Sequence, residues 1–198
     1  MSGKYDAGKD VAGYLGTDIL KNKLELRDQQ ALTAAEAEFA AVAVQSIEIA
    51  APPFDLDYLC ALHRQLFDEV YEWAGQVREV RITKGETVFC LPEYIRPEAA
   101  KLLAELAQRE DFRGLPRAKL VAQVAELYGE LNIVQPFREG NGRTLRLFFE
   151  HLILVCGFAI SWQRVYREEW ISASIAAVNC DYGPLTKIFD RCIGDKLE

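Results

Sequence analysis

The stretch Gln135-Pro136-Phe137-Arg138-Glu139-Gly140-Asn141-Gly142-Arg143-Thr144-Leu145-Arg146 decides how the rest of the chain is read. Gly140 and Gly142 lack Cβ atoms, so the backbone can bend tightly and approach a ligand. Asn141 between them tolerates left-handed geometry. Apolar residues at helical spacing follow at once, so the loop feeds a helix whose first N–H groups form an anion nest. Arg143 and Arg146 are three apart and share a helical face. Two guanidinium groups beside such a nest suit a polyphosphate. Glu139 stands at the lip, and one carboxylate plus phosphate oxygens is the usual way a protein holds Mg²⁺. Gly-x-Gly alone would mean only a glycine turn capping a helix. The combination with Pro-Phe, the acid and the second arginine indicates a site for a Mg²⁺–nucleoside triphosphate. It is not a P-loop, because G-x-x-x-x-G-K-[ST] does not occur.

The loop sits in a chain of 198 residues, half of them hydrophobic, which is enough for one domain with a sizeable core. A net charge of −7 and a pI of about 5.0 argue against direct binding of nucleic acid, while leaving room for a local basic pocket. Residues 1–6 hold no apolar run, so no signal peptide is expected. The longest apolar stretch, 147–162, is broken by Glu150 and His151. It is too short to span a membrane and reads as a buried core helix. The five cysteines are scattered, with neither C-x-x-C nor zinc spacing. They read as reduced, mostly buried thiols of a cytoplasmic protein.

Outward from the loop the pattern is helical. Alanine-rich 29–48 forms a helix ended by Pro52-Pro53. Asp55 caps a second, with Leu59, Leu62, Leu66 and Val70 on one side, and Trp73-Ala74-Gly75 closes it. The period then changes, and Val77, Val80, Ile82, Val88 and Phe89 around Lys84-Gly85 predict a short β-hairpin. Pro97 marks the first turn of a helix to about 109. Further helices are predicted over 117–132, 142–156 with Gly157 as its cap, 167–178 and 184–193. The expectation is an all-α domain with a single hairpin and no internal repeat.

The motif closely resembles the Fic-domain signature His-Pro-Phe-x-[Asp/Glu]-Gly-Asn-Gly-Arg-x-x-Arg, matching every fixed position but the first. Leu62-His63-Arg64-Gln65-Leu66-Phe67, Tyr71-Glu72-Trp73-Ala74-Gly75 and the hairpin from Lys84-Gly85 to Phe89 are also similar to Fic elements. Gly16-Thr17-Asp18-Ile19-Leu20-Lys21-Asn22-Lys23-Leu24 resembles the start of bacterial Fic toxins. The resemblance covers nearly the whole chain. It implies one Fic domain over 1–198, a helical bundle around the motif (135–146), with 1–28 as an N-terminal extension packed on it. It implies an adenylyltransferase that moves AMP from ATP to a hydroxyl on a target protein. Carried over residue by residue, Glu139 would hold Mg²⁺. Gly140, Asn141 and Gly142 would line the anion hole for the α- and β-phosphates. Arg143 would contact phosphates and Arg146 the γ-phosphate. Phe137 would anchor the loop. The hairpin, 77–90, would be a flap whose residues Arg81, Ile82, Thr83, Lys84, Gly85, Glu86, Thr87, Val88 and Phe89 hold the target segment by strand addition. Thr83, Lys84 and Asn179 would border the nucleotide.

The departure lies at Gln135. The family's histidine accepts the proton of the attacking hydroxyl, and a glutamine amide cannot. Lost general-base catalysis is worth ~10²–10⁴ in rate, while positioning and phosphate stabilisation would survive. His63 and His151 lie among apolar residues and read as packing histidines. This copy is therefore either a natural degenerate member or an enzyme disarmed by a His→Gln substitution, and the intact remainder of the motif favours the second.

Fic enzymes are often restrained by a helix bearing [Ser/Thr]-x-x-x-Glu-[Gly/Asn], whose glutamate pairs with the second motif arginine. No Ser or Thr here is followed by Glu four residues later; the nearest case pairs Thr186 with Asp190. The resemblance is thus to the class inhibited by a separate small antitoxin protein carrying that helix. Toxins of this class imply a target in the ATPase subunit of gyrase or topoisomerase IV. A Fic-fold binding module without chemistry is the alternative. Doc-type kinases carry lysine at the second motif glycine, so Gly142 argues against that branch.

Overall fold

The computed structural model describes residues 12–49, 53–163 and 165–197. The first eleven residues of the expected N-terminal extension and Pro52 lie outside the described residues. Asp28 opens α1 (Gln29–Val44) by accepting a 2.8 Å hydrogen bond from the Ala31 N–H. The helix ends before position 48, after Val42 and Val44, whose β-branched side chains lower helix propensity. Asp55 caps α2 (Leu56–Phe67) through the Tyr58 N–H at 2.8 Å. Leu59, Leu62, Leu66 and, past the helix end, Val70 are buried as their spacing predicts.

The hairpin is smaller than the patterning suggests. Strand β1 (Thr83–Lys84) pairs with β2 (Thr87–Val88) around Gly85, whose φ is +59°. Ile82 and Phe89 on either side are buried, so the apolar signal there reports inward packing rather than further strand. Helix α3 (Pro92–Gln108) starts earlier than expected. Pro92 takes the first turn, where a missing N–H costs nothing, and Pro97 lies inside at the cost of one helical bond. A 3-10 turn (Glu110–Phe112) leads to α4 (Arg117–Val134), and α5 (Asn141–Val155) follows the motif loop. Gly157, at φ +84°, turns the chain into β3 (Phe158–Ile160). Then come α6 (Arg167–Val178), α7 (Gly183–Cys192) and β4 (Ile193–Lys196).

Strands β3 and β4 pair antiparallel, which corrects the reading of a single hairpin. Each is too short to show alternation, and β4 holds one apolar residue. The core lies around α4 and α5, where Tyr128, Leu131, Phe148, Phe149 and Leu152 are buried. Each such Leu or Phe side chain contributes about 1.5–3 kcal/mol of burial. Helices α2 and, behind it, α1 cover α5, while α6 and α7 close on α4. The cysteines are all free: Cys156 and Cys192 are buried, Cys60 and Cys90 half-buried, Cys180 exposed. Among the described residues no helix is long and apolar enough to cross a membrane.

Candidate active site

Two left-handed residues shape the loop. Gln135 ends α4 at φ 43°, ψ 67°, a conformation that costs a non-glycine residue about 1–2 kcal/mol. Buried Arg78 holds it there. Its guanidinium donates to the carbonyls of Gln135 (2.7 Å), Val80 (2.6 Å), Cys90 (2.6 Å) and Val134 (3.2 Å), and its N–H to that of Pro136 (2.9 Å). Both legs of the flap are thereby tied to the start of the motif. Gly140 is the second turning point, at φ +80°, and a Cβ there would sit 2.4 Å from the Phe67 ring.

Asn141, which tolerates left-handed geometry, does not adopt it. It is the first residue of α5, and its side chain is turned inward. Its Oδ1 accepts from the Phe137 N–H (2.8 Å) and its Nδ2 donates to the Phe137 carbonyl (2.7 Å). The loop is thus clamped across its base, and Phe137 is driven into the core against the His63 ring, 3.9 Å between centroids. Asn141 and Gly142 open the helix, where N–H groups have no intrahelical acceptor. A Cβ on Gly142 would meet only Arg146 Nη1, at 3.9 Å. The space above Gly142 is therefore open.

Neither of the chain's two histidines can replace a base at position 135. His63 accepts the Gly75 N–H on Nδ1 (2.8 Å), so the proton sits on Nε2, which donates to the Glu139 carbonyl (3.0 Å). Burial lowers its pKa to about 4, against partial compensation from that carbonyl and the Glu139 carboxylate. It is a neutral strut under Glu139. His151 Nδ1 lies 2.5 Å from the Tyr58 hydroxyl, and burial lowers its pKa too.

A cavity of about 710 Å³ opens above the loop. Its floor is Gln135, Glu139, Gly140, Gly142, Arg143 and Arg146; the flap side is Lys84, Gly85, Glu86, Thr87 and Phe89. Thr83 and Asn179 do not line it, and Asn179 instead caps α6. Within the flap, Ile82 packs inward, whereas Arg81 and Val88 are exposed outside the cavity. The third wall escaped the sequence reading. It comes from α4, α6 and the segment before α6, including Tyr128, Trp162, Tyr166 and Trp170. The spacing of four from Trp162 to Tyr166 to Trp170 was the available signal. Burial pushes the Tyr128 hydroxyl up to about 12, so it is neutral at this wall.

The two motif arginines differ. Arg143, expected on phosphate, is turned toward α1: its Nη2 lies 2.6 Å from Glu36 Oε2 and 3.6 Å from Glu139 Oε1. Its guanidinium carbon sits 4.7 Å over the Phe67 ring. Among the described residues Arg146 pairs with no carboxylate. Glu139 is buried and its Oε1 accepts the Gly140 N–H at 2.9 Å. No three metal-ligating side chains come together among the described residues. A divalent cation at Glu139 would thus take its other ligands from phosphate and water, as Mg²⁺ commonly does.

The Fic/DOC family profile matches residues 53–153, more than half of the chain. The chain belongs to the Fic/DOC family. It is 37% identical over 198 residues, all of this chain and 99% of the relative, to the "Probable protein adenylyltransferase Fic" of Escherichia coli K12. Its fold is similar to that of BepC from Bartonella tribocorum, solved with bound AMPPNP, with a TM-score of 0.85 at 26% identity over 94% of this chain and 97% of that one. A Fic domain from Bartonella quintana, solved with ADP, gives 0.86 at 27% identity over 94% and 95%.

Proposed function

We propose that this domain is a protein adenylyltransferase scaffold that binds ATP with Mg²⁺ and is crippled in transfer at Gln135. The carrying observation is the open floor of the cavity, where the first N–H groups of α5, Gly142 without a Cβ and Arg146, which pairs with no carboxylate among the described residues, converge beside Glu139. In the reaction a hydroxyl oxygen of the target attacks the α-phosphorus of ATP. The bond to the bridging oxygen breaks, pyrophosphate leaves, and the hydroxyl proton must pass to a base. Nest and Arg146 oppose the phosphate charge. Mg²⁺, held by Glu139, would neutralise further charge on the phosphates. Gln135 donates from Nε2 to Asn132 Oδ1 at 3.1 Å. It can orient a hydroxyl but cannot accept its proton.

The target class we assign is the ATPase subunit of a type II topoisomerase, gyrase or topoisomerase IV, on the resemblance to bacterial Fic toxins. The regulator we assign is a separate antitoxin with an inhibitory glutamate helix, and the lack of a carboxylate partner for Arg146 among the described residues favours this arrangement. The deciding experiment is mass spectrometry of gyrase incubated with ATP, Mg²⁺ and either this protein or Gln135→His. One added AMP with the histidine version alone is the expected result. ATP binding without transfer in either version, across both topoisomerases, would leave a nucleotide-binding module instead.

A further inference from the structure

Helix α1 faces the core with Leu32, Glu36 and Ala40, so a carboxylate stands where the spacing calls for an apolar side chain. Glu36 is 3% exposed. A buried carboxylate is costly unless every oxygen is matched. Both are matched here: Oε1 accepts from the Tyr71 hydroxyl, and Oε2 meets Arg143 Nη2 at 2.6 Å. Tyr71 itself is fully buried and stacks on Trp73, 4.3 Å between centroids. The same Arg143 nitrogen makes a longer ion pair, 3.6 Å, with Glu139 Oε1. Arg143 therefore lies between two carboxylates and leans to the one from α1.

We propose that Glu36 is a positioning residue that draws Arg143 toward α1 and so limits its competition with the divalent cation of a bound nucleotide for the Glu139 carboxylate. The inference rests on the reading of Glu139 given above. Without the Glu36 charge, Arg143 swings fully onto Glu139, four residues earlier in the loop before α5, and becomes the cation's stronger competitor. Tyr71 acts one step further out, by holding Glu36 in the rotamer that meets Arg143.

The test is calorimetric titration of ATP into the intact chain, in Mg²⁺ and in excess chelator, for the parent, Glu36→Gln, Glu36→Asp and Tyr71→Phe. In Glu36→Gln the Mg²⁺-dependent part of the affinity is expected to fall by about tenfold, the scale for residues that orient a metal ligand. Affinity in chelator should change less than about twofold, since charge at the ligand is what differs. Glu36→Asp, which keeps the charge on a shorter stem, should recover part of the loss. A merely structural role would lower both affinities together, and that result overturns the proposal, as does an unchanged Glu36→Gln. If Glu36→Gln does not fold by circular dichroism, Tyr71→Phe, which keeps every charge, decides by the same two titrations. Failure of the parent to bind Mg²⁺–ATP would overturn the nucleotide-site reading itself, and the proposal with it.

Discussion

Adding one methyl group to each of two motif glycines should separate what holds the loop from what the loop holds. Gly140 sits at φ +80°, and a Cβ there would lie 2.4 and 2.5 Å from two carbons of the fully buried Phe67 ring. The left-handed conformation costs alanine about 1–2 kcal/mol. Moving an enclosed ring by about 1 Å adds overpacking of about 1–3 kcal/mol. Gly140→Ala is therefore expected to lose about 2–5 kcal/mol, a large share of a typical domain's stability, and about 4–20 °C in melting temperature for a chain of this size. Gly142→Ala is the opposite case. Its Cβ meets only Arg146 Nη1 at 3.9 Å, in the first turn of α5. Exchanging glycine for alanine in a helix gains up to about 1 kcal/mol. On the proposed reading, however, that methyl group would stand in the space where phosphate approaches the N–H groups. The assay is thermal unfolding with and without Mg²⁺–ATP. Gly142→Ala should melt at or above the parent and lose the nucleotide-dependent rise, whereas Gly140→Ala should melt well below it. A Gly142→Ala protein that still gains stability from nucleotide would refute the placement of phosphate on this helix end.

Glu139→Ala and Arg146→Ala should each weaken Mg²⁺–ATP binding by about tenfold or more, the scale of a charge-assisted hydrogen bond; unchanged calorimetric affinity in both would remove the site assignment. His63 has a folded pKa of about 4, below its ordinary 6.5, so protonation favours the unfolded chain. Its contribution, up to about 3 kcal/mol, is complete above about pH 6.5 and lost as pH falls toward 4. Denaturant midpoints taken from pH 7 to 4.5 should fall less steeply in His63→Gln than in the parent, and equal slopes would contradict the neutral strut.

Much of this was legible from residue order, and the reasons are specific. Helix starts were read from side-chain chemistry, as at Asp55, because a cap acts on N–H groups two or three residues away. Gly140, Glu139 and Arg146 could be grouped because the motif brings them together within eight consecutive residues. What failed involved partners far apart in sequence. Strands β3 and β4 pair across more than thirty residues, and Glu36 reaches Arg143 from α1 across more than a hundred. No local period announces either contact. The clamp of Asn141 on Phe137 was not legible either, because it depends on which way one side chain turns.

These same contacts explain how the site can be complete around a residue that cannot do its chemistry. The contacts described above that shape the loop run to its backbone atoms rather than to the side chain at 135. Arg78 grips the Gln135 carbonyl, Asn141 grips the Phe137 peptide, and His63 carries the Glu139 carbonyl. Binding geometry and proton acceptance are thus assigned to different atoms, one set on the backbone and one on a single side chain. Replacing that side chain should remove the second function and leave the first. The prediction is therefore unequal: Gln135→His should change the affinity for Mg²⁺–ATP by less than about threefold while changing the rate of transfer by ~10²–10⁴. Comparable changes in both would mean that the residue at 135 helps build the nucleotide site, and that the division of labour drawn from Arg78, Asn141 and His63 is wrong.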